Sequence, residues 1–180
     1  MTVKNKYPLP LIPELIFKLQ GAKYFTKLDV HWGFNNVQIK EGDEWKAAFW
    51  TNQGLFKLLV MYFGLTNSPA TFQTIMDDIF KELISEGVVM YLDDILIFTD
   101  TLEEHQLVTW CVIELMAKHK LYLKLDKCEF EQTTVEYLRV IISHNSVSMD
   151  PVKITGVQEW PEPTNKKEVQ SFLGFTNFYC

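Results

Sequence analysis

Met90-Tyr91-Leu92-Asp93-Asp94-Ile95-Leu96 joins two apolar runs, Val88 to Leu92 and Ile95 to Phe98, across only Asp93 and Asp94. Short β-type runs split by two turn-tolerant residues predict a tight hairpin with the aspartates at its tip. Aspartate suits such a turn because its short side chain bonds locally and tolerates unusual backbone angles. Pattern alone favours an ordinary surface hairpin. What gives the pair chemical meaning is the rest of the chain.

Upstream, Tyr24 to Val30 alternates as a strand, with Tyr24, Thr26, Leu28 and Val30 on one face and Phe25, Lys27 and Asp29 on the other. If this strand lies beside the hairpin, Asp29 and Asp93 meet at one sheet edge. Close carboxylates cannot both ionise cheaply without a cation, and hard oxygen donors suit Mg²⁺. Between strand and hairpin, Ser68 reads as an N-cap with Pro69 in the first turn. Phe72, Ile75, Met76, Ile79, Phe80, Leu83 and Ile84 then recur at helical spacing up to Gly87, a stripe that belongs to the core. Downstream, Thr101 to Glu104 forms a capping box that opens a helix to about His119, with Val108, Val112, Leu115 and Met116 inward.

The flanks read more simply. Tyr7 to Pro13 is extended and proline-spaced, and a short helix from about Glu14 to Gln20 is closed by Gly21. Val37 to Lys40, Trp45 to Trp50, Leu55 to Met61, Leu121 to Leu125 and Val135 to Ser143 are strand-like. Pro151 starts another helix, and Asn165 to Glu168 has the form of a capping box for the last one. This order predicts an α+β fold, an antiparallel sheet with helices packed on one face, and not a βαβ parallel sheet.

Composition narrows the class. The 180 residues are 47% hydrophobic, enough for one sizeable core, and no apolar run is long enough to span a membrane. The first residues carry no apolar signal region, so an intracellular protein, cytoplasmic or nuclear and not secreted, is expected. Cys111, Cys128 and Cys180 form no CxxC pair, and no zinc-ligand spacing is present. The net charge of −6 excludes a surface that is basic all over, and Arg139 is the single arginine among 17 basic residues.

Six ordered blocks carry a resemblance over nearly the whole chain. Tyr91-Leu92-Asp93-Asp94 resembles the YxDD motif of reverse transcriptases. Phe63-Gly64-Leu65-Thr66-Asn67-Ser68-Pro69-Ala70-Thr71-Phe72-Gln73 is similar to the segment before the palm helix in Ty3/gypsy-type LTR retrotransposons. Leu28-Asp29-Val30 with Gly33-Phe34 resembles the family's first catalytic-aspartate motif. Lys127-Cys128-Glu129-Phe130, Glu136-Tyr137-Leu138 and Phe172-Leu173-Gly174-Phe175 follow in order.

The resemblance implies a right-hand polymerase. Residues 1–36 would be an N-terminal palm segment, 37–68 partial fingers, 69–146 the remaining palm with the hairpin and primer-grip region, and 147–180 the start of a thumb. Asp29, Asp93 and Asp94 would bind two Mg²⁺ ions (Mn²⁺ as a substitute), helped by the Val30 backbone carbonyl, for RNA-directed DNA synthesis. Gly33, Phe34, Phe63 and Gly64 would meet the incoming deoxynucleoside triphosphate, Phe34 as a gate against a ribose 2′-hydroxyl. Leu65, Ser68, Pro69, Tyr91, Leu138, Arg139, Lys166 and Lys167 would touch an RNA or DNA template–primer, and the lysine pair reads equally as a solvated helix start. An RNase H and an integrase would share the polyprotein.

Departures from the family define an alternative. The chain starts later and stops earlier than a full polymerase, and without a following helix Phe172, Phe175 and Phe178 are expected to lie exposed. Arg139 stands where relatives have Gly, His31 where they often have Arg, and Tyr62 where they usually have Pro. Gln106, Trp110, Cys111 and Cys180 also stand at positions where relatives tend to carry Arg. Such exchanges are what C-to-T transitions at CpG codons produce. They suggest a decayed, inactive palm fragment serving at most as an interaction module.

Overall fold

The protein is described by a computed structural model covering residues 2–177. In chain order the elements are α1 (Ile12–Lys18), β1 (Tyr24–Asp29), β2 (Ala48–Thr51), β3 (Gly54–Lys57), α2 (Ser68–Ile79), β4 (Val88–Tyr91) and β5 (Asp94–Thr99). They continue with α3 (Leu102–Lys118), β6 (Glu129–Gln132), β7 (Thr134–Tyr137), β8 (Val140–Ser143), β9 (Ser146–Met149), α4 (Pro151–Gln158) and α5 (Lys166–Thr176). The central antiparallel sheet has the order β4-β5-β1-β6, with separate β2-β3 and β7-β8-β9 sheets.

Side-chain alternation assigns the two faces of the central sheet. Leu28, Val30, Val88, Met90, Ile95 and Ile97 form one cluster with Phe72 and Met76 of α2, Phe80 just beyond it, and Val112 and Met116 of α3. Phe25, Val89 and Leu96 on the opposite face pack with Leu15 and Leu19 of α1 and with Val135, Tyr137 and Ile142 of the small sheet. The two long helices therefore share one face, as expected, while α1 and the β7-β8-β9 sheet cover the other. Both helical stripes read from the sequence are core, except that Ile75 joins neither cluster. At Thr101 the cap half of the expected box forms, its hydroxyl accepting from the Glu104 N–H at 3.4 Å. The box at Asn165 forms, its side chain accepting from Glu168 N–H at 3.0 Å and donating back to Glu168 at 2.7 Å.

Several expectations shift. The hairpin turn is Leu92-Asp93, because Asp94 is already strand, opposite Tyr91 on one side and Asp29 on the other. The N-cap of α2 is Asn67 rather than Ser68. Ser68 Oγ instead donates to the Tyr62 carbonyl at 3.3 Å, so this hydroxyl is spent inside the loop. Helix α2 ends at Ile79, and Leu83–Ser85 continues only as a 3-10 turn. Gly87 does close the segment at φ +97, where a Cβ would meet the Phe98 carbonyl at 2.5 Å.

Val37 to Lys40 is a single bridge, Gln38 to Val60, and Glu44–Ala47 is a 3-10 turn tightened by Lys46 bonding Asp43 at 2.7 Å. Leu121 to Leu125 contributes one bridge, Val30 to Leu123. The run Val135 to Ser143 folds back on itself, Tyr137 pairing with Val140 across Leu138-Arg139. Phe172 and Phe175 are half-covered by Trp160, at ring-centroid distances of 5.7 and 5.3 Å. The expectations on Phe178 and Cys180 fall outside the described residues. Among the described residues no helix is long and apolar enough to cross a membrane.

Candidate active site

Antiparallel pairing delivers the acidic residues to one edge of the sheet. Strand β1 runs from Tyr24 opposite Thr99 to Asp29 opposite Asp94, so the end of β1 lies beside the β4-β5 turn. Val30 N–H then donates to the Asp93 carbonyl at 3.0 Å, which ties the end of β1 to the turn itself. After Val30 the chain turns sharply through Trp32 at φ +56 into a 3-10 turn, Gly33–Asn36. That bend places Gly33 against the Asp93 carboxylate: a Cβ there would collide with Oδ1 and stand 2.8 Å from Cγ. Only glycine leaves room for the acid.

A cleft of about 480 Å³ opens at this edge, lined by Asp29, Val30, Gly33, Phe34, Phe63, Pro69, Leu92, Asp93, Lys124 and Lys127 among others. Phe34 meets Phe72 edge-on at 5.4 Å and lies 6.4 Å from Phe63, so the core fixes its ring while Phe63 itself is 89% exposed. Gly64 follows at φ +107, a conformation that glycine adopts freely.

The electrostatics follow from burial. Asp93 Oδ1 is shielded from solvent and has no hydrogen-bond partner. Desolvation, then the charges of Asp94 and Asp29, push its carboxyl up to about 6. Asp94 is also raised, mainly by burial, against the pull of Lys27. Lys127 Nζ sits 3.7 Å from Asp29 Oδ2. Among the described residues no three acidic, histidine or cysteine side chains converge closely enough to hold an ion unaided. The donor set still suits Mg²⁺, which takes only one or two carboxylates and completes its shell with water and substrate phosphate oxygens. A buried carboxylate oxygen lacking any donor is the atom such a cation would satisfy.

The other sequence-predicted residues divide by location. Leu65 packs against the α2-side core, and Ser68 is 1% exposed, so it holds the loop and cannot touch nucleic acid. Tyr91 and Leu138 pack on the opposite face with the α1-side cluster. Leu138 and Arg139 form the β7-β8 turn, and Lys166 and Lys167 are exposed at the start of α5, none of them lining the cleft.

Sequence reasoning gave no role to Gln73 or to Lys127. Gln73 is fully buried and accepts the Leu92 N–H at 2.9 Å. The signal was present, a polar residue on the apolar arc that Met76 and Phe80 continue at three- and four-residue spacing. His105 was also missed; it is buried between Thr26 and Thr99, at 2.7 and 3.0 Å, and ties α3 to the sheet.

This chain belongs to the reverse transcriptase (RNA-dependent DNA polymerase) family, whose pattern matches residues 1–142. Its relatives are Pol polyproteins of Ty3/gypsy-type LTR retrotransposons. It is 37% identical over 179 residues, 99% of the chain, to the retrovirus-related Pol polyprotein from transposon 297 of Drosophila melanogaster. It is 38% identical to the Pol polyprotein from transposon opus of the same organism, and 37% identical over 174 residues to the transposon Tf2-3 polyprotein of Schizosaccharomyces pombe. The chain spans 17%, 18% and 13% of those proteins, respectively. Among solved structures, a foamy viral protease-reverse transcriptase in complex with double-stranded DNA matches with a TM-score of 0.91 at 24% identity, covering 98% of this chain and 31% of that one. The same enzyme type in complex with an RNA/DNA hybrid matches at 0.88, also at 24% identity, over 98% of this chain and 24% of that one. These likenesses establish the polymerase-palm fold.

Proposed function

We propose that this chain is the core of an RNA-directed DNA polymerase that extends a primer on an RNA or DNA template, using deoxynucleoside triphosphates. The observation that carries the reading is Asp93 Oδ1, buried without a donor beside Asp29 and Asp94 at the edge of a cleft. Asp29 and Asp93 would hold Mg²⁺, or Mn²⁺ in its place, with Asp94 and the Val30 carbonyl alongside. When bound, two such ions neutralise charge on the attacking and leaving oxygens of an in-line phosphoryl displacement.

The protein's own share is positioning. Gly33, lacking a Cβ, lets the Asp93 carboxylate lie against its backbone, and Phe34, braced on Phe72, would exclude a 2′-hydroxyl from the sugar site. Phe63 and Gly64 offer an exposed ring and backbone to the incoming nucleotide. Pro69 and Leu65 border the template side. Leu138 and Arg139, with Lys166 and Lys167 at the start of α5, would follow the primer phosphates. In this reading residues 1–36 and 69–146 are palm, 37–68 fingers and 147–180 the beginning of a thumb. RNase H and integrase would be the neighbouring parts of the same polyprotein.

A second reading, an inactive palm, draws on one observation. Leu138 at φ +49 and Arg139 at φ +68 occupy backbone positions that favour glycine, at the place where the family resemblance leads one to expect Gly. Mg²⁺-dependent primer extension on an RNA template separates the two, with the 180-residue chain beside Asp93→Asn. Extension that vanishes in the variant supports the polymerase. Two well-folded proteins with no extension support the inactive palm.

A further inference from the structure

A line of polar contacts connects the first residues of the chain to the catalytic turn. Tyr7 Oη donates to Asp77 Oδ2 at 2.6 Å. Gln73 Nε2 donates to the other oxygen, Asp77 Oδ1, at 2.9 Å. Gln73 Oε1 accepts the Leu92 backbone N–H at 2.9 Å. The amide orientation of Gln73 is fixed by chemistry, since a flipped amide would set oxygen against carboxylate and nitrogen against N–H. Every member is therefore satisfied in one arrangement only. The Asp77 bond also pushes the Tyr7 hydroxyl up to about 12, so the donor keeps its proton throughout the physiological range.

The strap that carries Tyr7 is also held at the other end of α2. Asn67, the N-cap of that helix, donates to the Val3 carbonyl at 2.9 Å and accepts the Asn5 N–H at 3.0 Å. Asn5 in turn accepts the Tyr7 N–H at 3.0 Å. Residues 3–7 thus lie along α2 from Asn67 to Asp77. Gln73 and Asp77 are four residues apart on that helix, the spacing that brings side chains together on one face. At the far end of the line, Leu92 has φ +55, a left-handed conformation disfavoured for any residue with a Cβ. Its amide points at the buried Gln73 side chain, and the next residue is Asp93.

We infer that Tyr7, Asp77 and Gln73 are positioning residues that hold Leu92 in its left-handed conformation and so set the carboxylate of Asp93, making the N-terminal strap a part of the active-site framework. The inference rests on the polymerase reading for its purpose, but not for its test. Gln73→Glu keeps the shape and the acceptor for Leu92 while setting a second carboxylate against that of Asp77. Tyr7→Phe removes one donor and little else. The double variant Gln73→Glu/Asp77→Asn moves the charge and remakes every bond. Its new amide at position 77 donates to the new carboxylate at position 73 and accepts from Tyr7, and that carboxylate still accepts the Leu92 N–H.

The experiment is backbone amide exchange at Leu92 in the 180-residue chain, with Ile95 to Ile97 as internal reference. Exchange at Leu92 rises about tenfold in Gln73→Glu and by a smaller factor in Tyr7→Phe, and the double variant returns it to the wild-type rate. Unchanged exchange in both single variants overturns the inference. So does an equal rise at Ile95 to Ile97, which would make the network a general stabiliser, and so does a double variant that melts like wild type yet leaves Leu92 unprotected. Exchange is read without template, primer or nucleotide, so failure of primer extension alone would count against the polymerase reading and leave this one standing.

Discussion

Two turns in this molecule are built alike and held differently. The β4-β5 turn, Leu92-Asp93, and the β7-β8 turn, Leu138-Arg139, each join antiparallel strands with two residues and each begins with a left-handed leucine, at φ +55 and +49. In the first, the strained residue gives its N–H to buried Gln73, and the following residue gives its carbonyl to Val30. In the second, the strain extends to Arg139 at φ +68, the pair of positive φ values for which tight hairpins select Asn or Gly. Unfavourable backbone persists where its surroundings over-determine it. At Leu92 those surroundings are a polar network beside the acidic cluster. At Leu138 they are apolar contacts with the α1-side core.

The largest expected effect comes from the tip of the first turn. Asp93→Asn should reduce Mg²⁺-dependent extension by about 10³-fold, since several kcal/mol of charge stabilisation are lost. The same variant should be more stable than wild type at neutral pH. The Asp93 carboxyl, raised by burial and by its acidic neighbours to about 6, binds its proton more tightly folded than unfolded. Stability therefore falls as pH rises from about 4 through about 6. Discounted for partial solvent access, the neutral-pH gain in Asp93→Asn is about 1–2 kcal/mol, and it should vanish near pH 4. Urea melts at the two pH values measure it. Mg²⁺ should raise the Tm of the wild type at pH 7 and leave that of the variant nearly unmoved. An Asp93→Asn protein no more stable than wild type at pH 7 would break the contrast between a turn strained for chemistry and one strained without it.

Which parts of this were legible in the sequence follows from the range of the interactions. Local and periodic features were: the alternation of β1, the stripes of α2 and α3, and the caps at Thr101 and Asn165 all depend on residues within a few positions. The acidic cluster needed the family resemblance, because periodicity could not say that β1 lies beside β5. Turn register was misread by one residue, since an aspartate at a strand end and one in a turn look the same until Asp94 is seen opposite Asp29. The β7-β8 turn was invisible to turn chemistry, because Leu138-Arg139 offers neither Gly nor Asn; only the resemblance singled out these residues, as part of a primer grip. Strand β6, exposed at every residue, carries no burial pattern to read. Ser68 was assigned as a cap by its type, yet Asn67 precedes it and the hydroxyl closes a loop six residues long. The link from Tyr7 to Leu92 joins residues far apart in the chain through Asp77 and Gln73, and no spacing rule reaches that far.

Arg139→Gly addresses the second turn. Releasing a left-handed residue from its Cβ gains about 1–2 kcal/mol, and the added freedom of glycine in the unfolded chain takes back about 0.5–1. These backbone terms net a stabilisation of about 0.5–1 kcal/mol, read as a higher urea midpoint at unchanged slope, less what the contacts of the arginine side chain contribute. A destabilised Arg139→Gly would show that the arginine side chain is held by contacts worth more than the strain, and the two turns would then be alike.

The smallest effect on stability is expected for the same replacement in the first turn. Leu92→Gly removes a comparable strain, but it also strips a half-buried side chain from the floor of the cleft, which costs about 1 kcal/mol. The terms cancel to within about 0.5 kcal/mol, so the urea midpoint should barely move. Extension should fall nonetheless, by about tenfold, because a glycine at position 92, although its N–H still bonds Gln73, has the wider backbone freedom that lets Asp93 move. A single pair of variants thus separates strain from function. If Leu92→Gly proves as stabilising as Arg139→Gly and extends primers at the wild-type rate, the left-handed conformation at residue 92 is a by-product of a tight hairpin and the clamp on it serves stability alone.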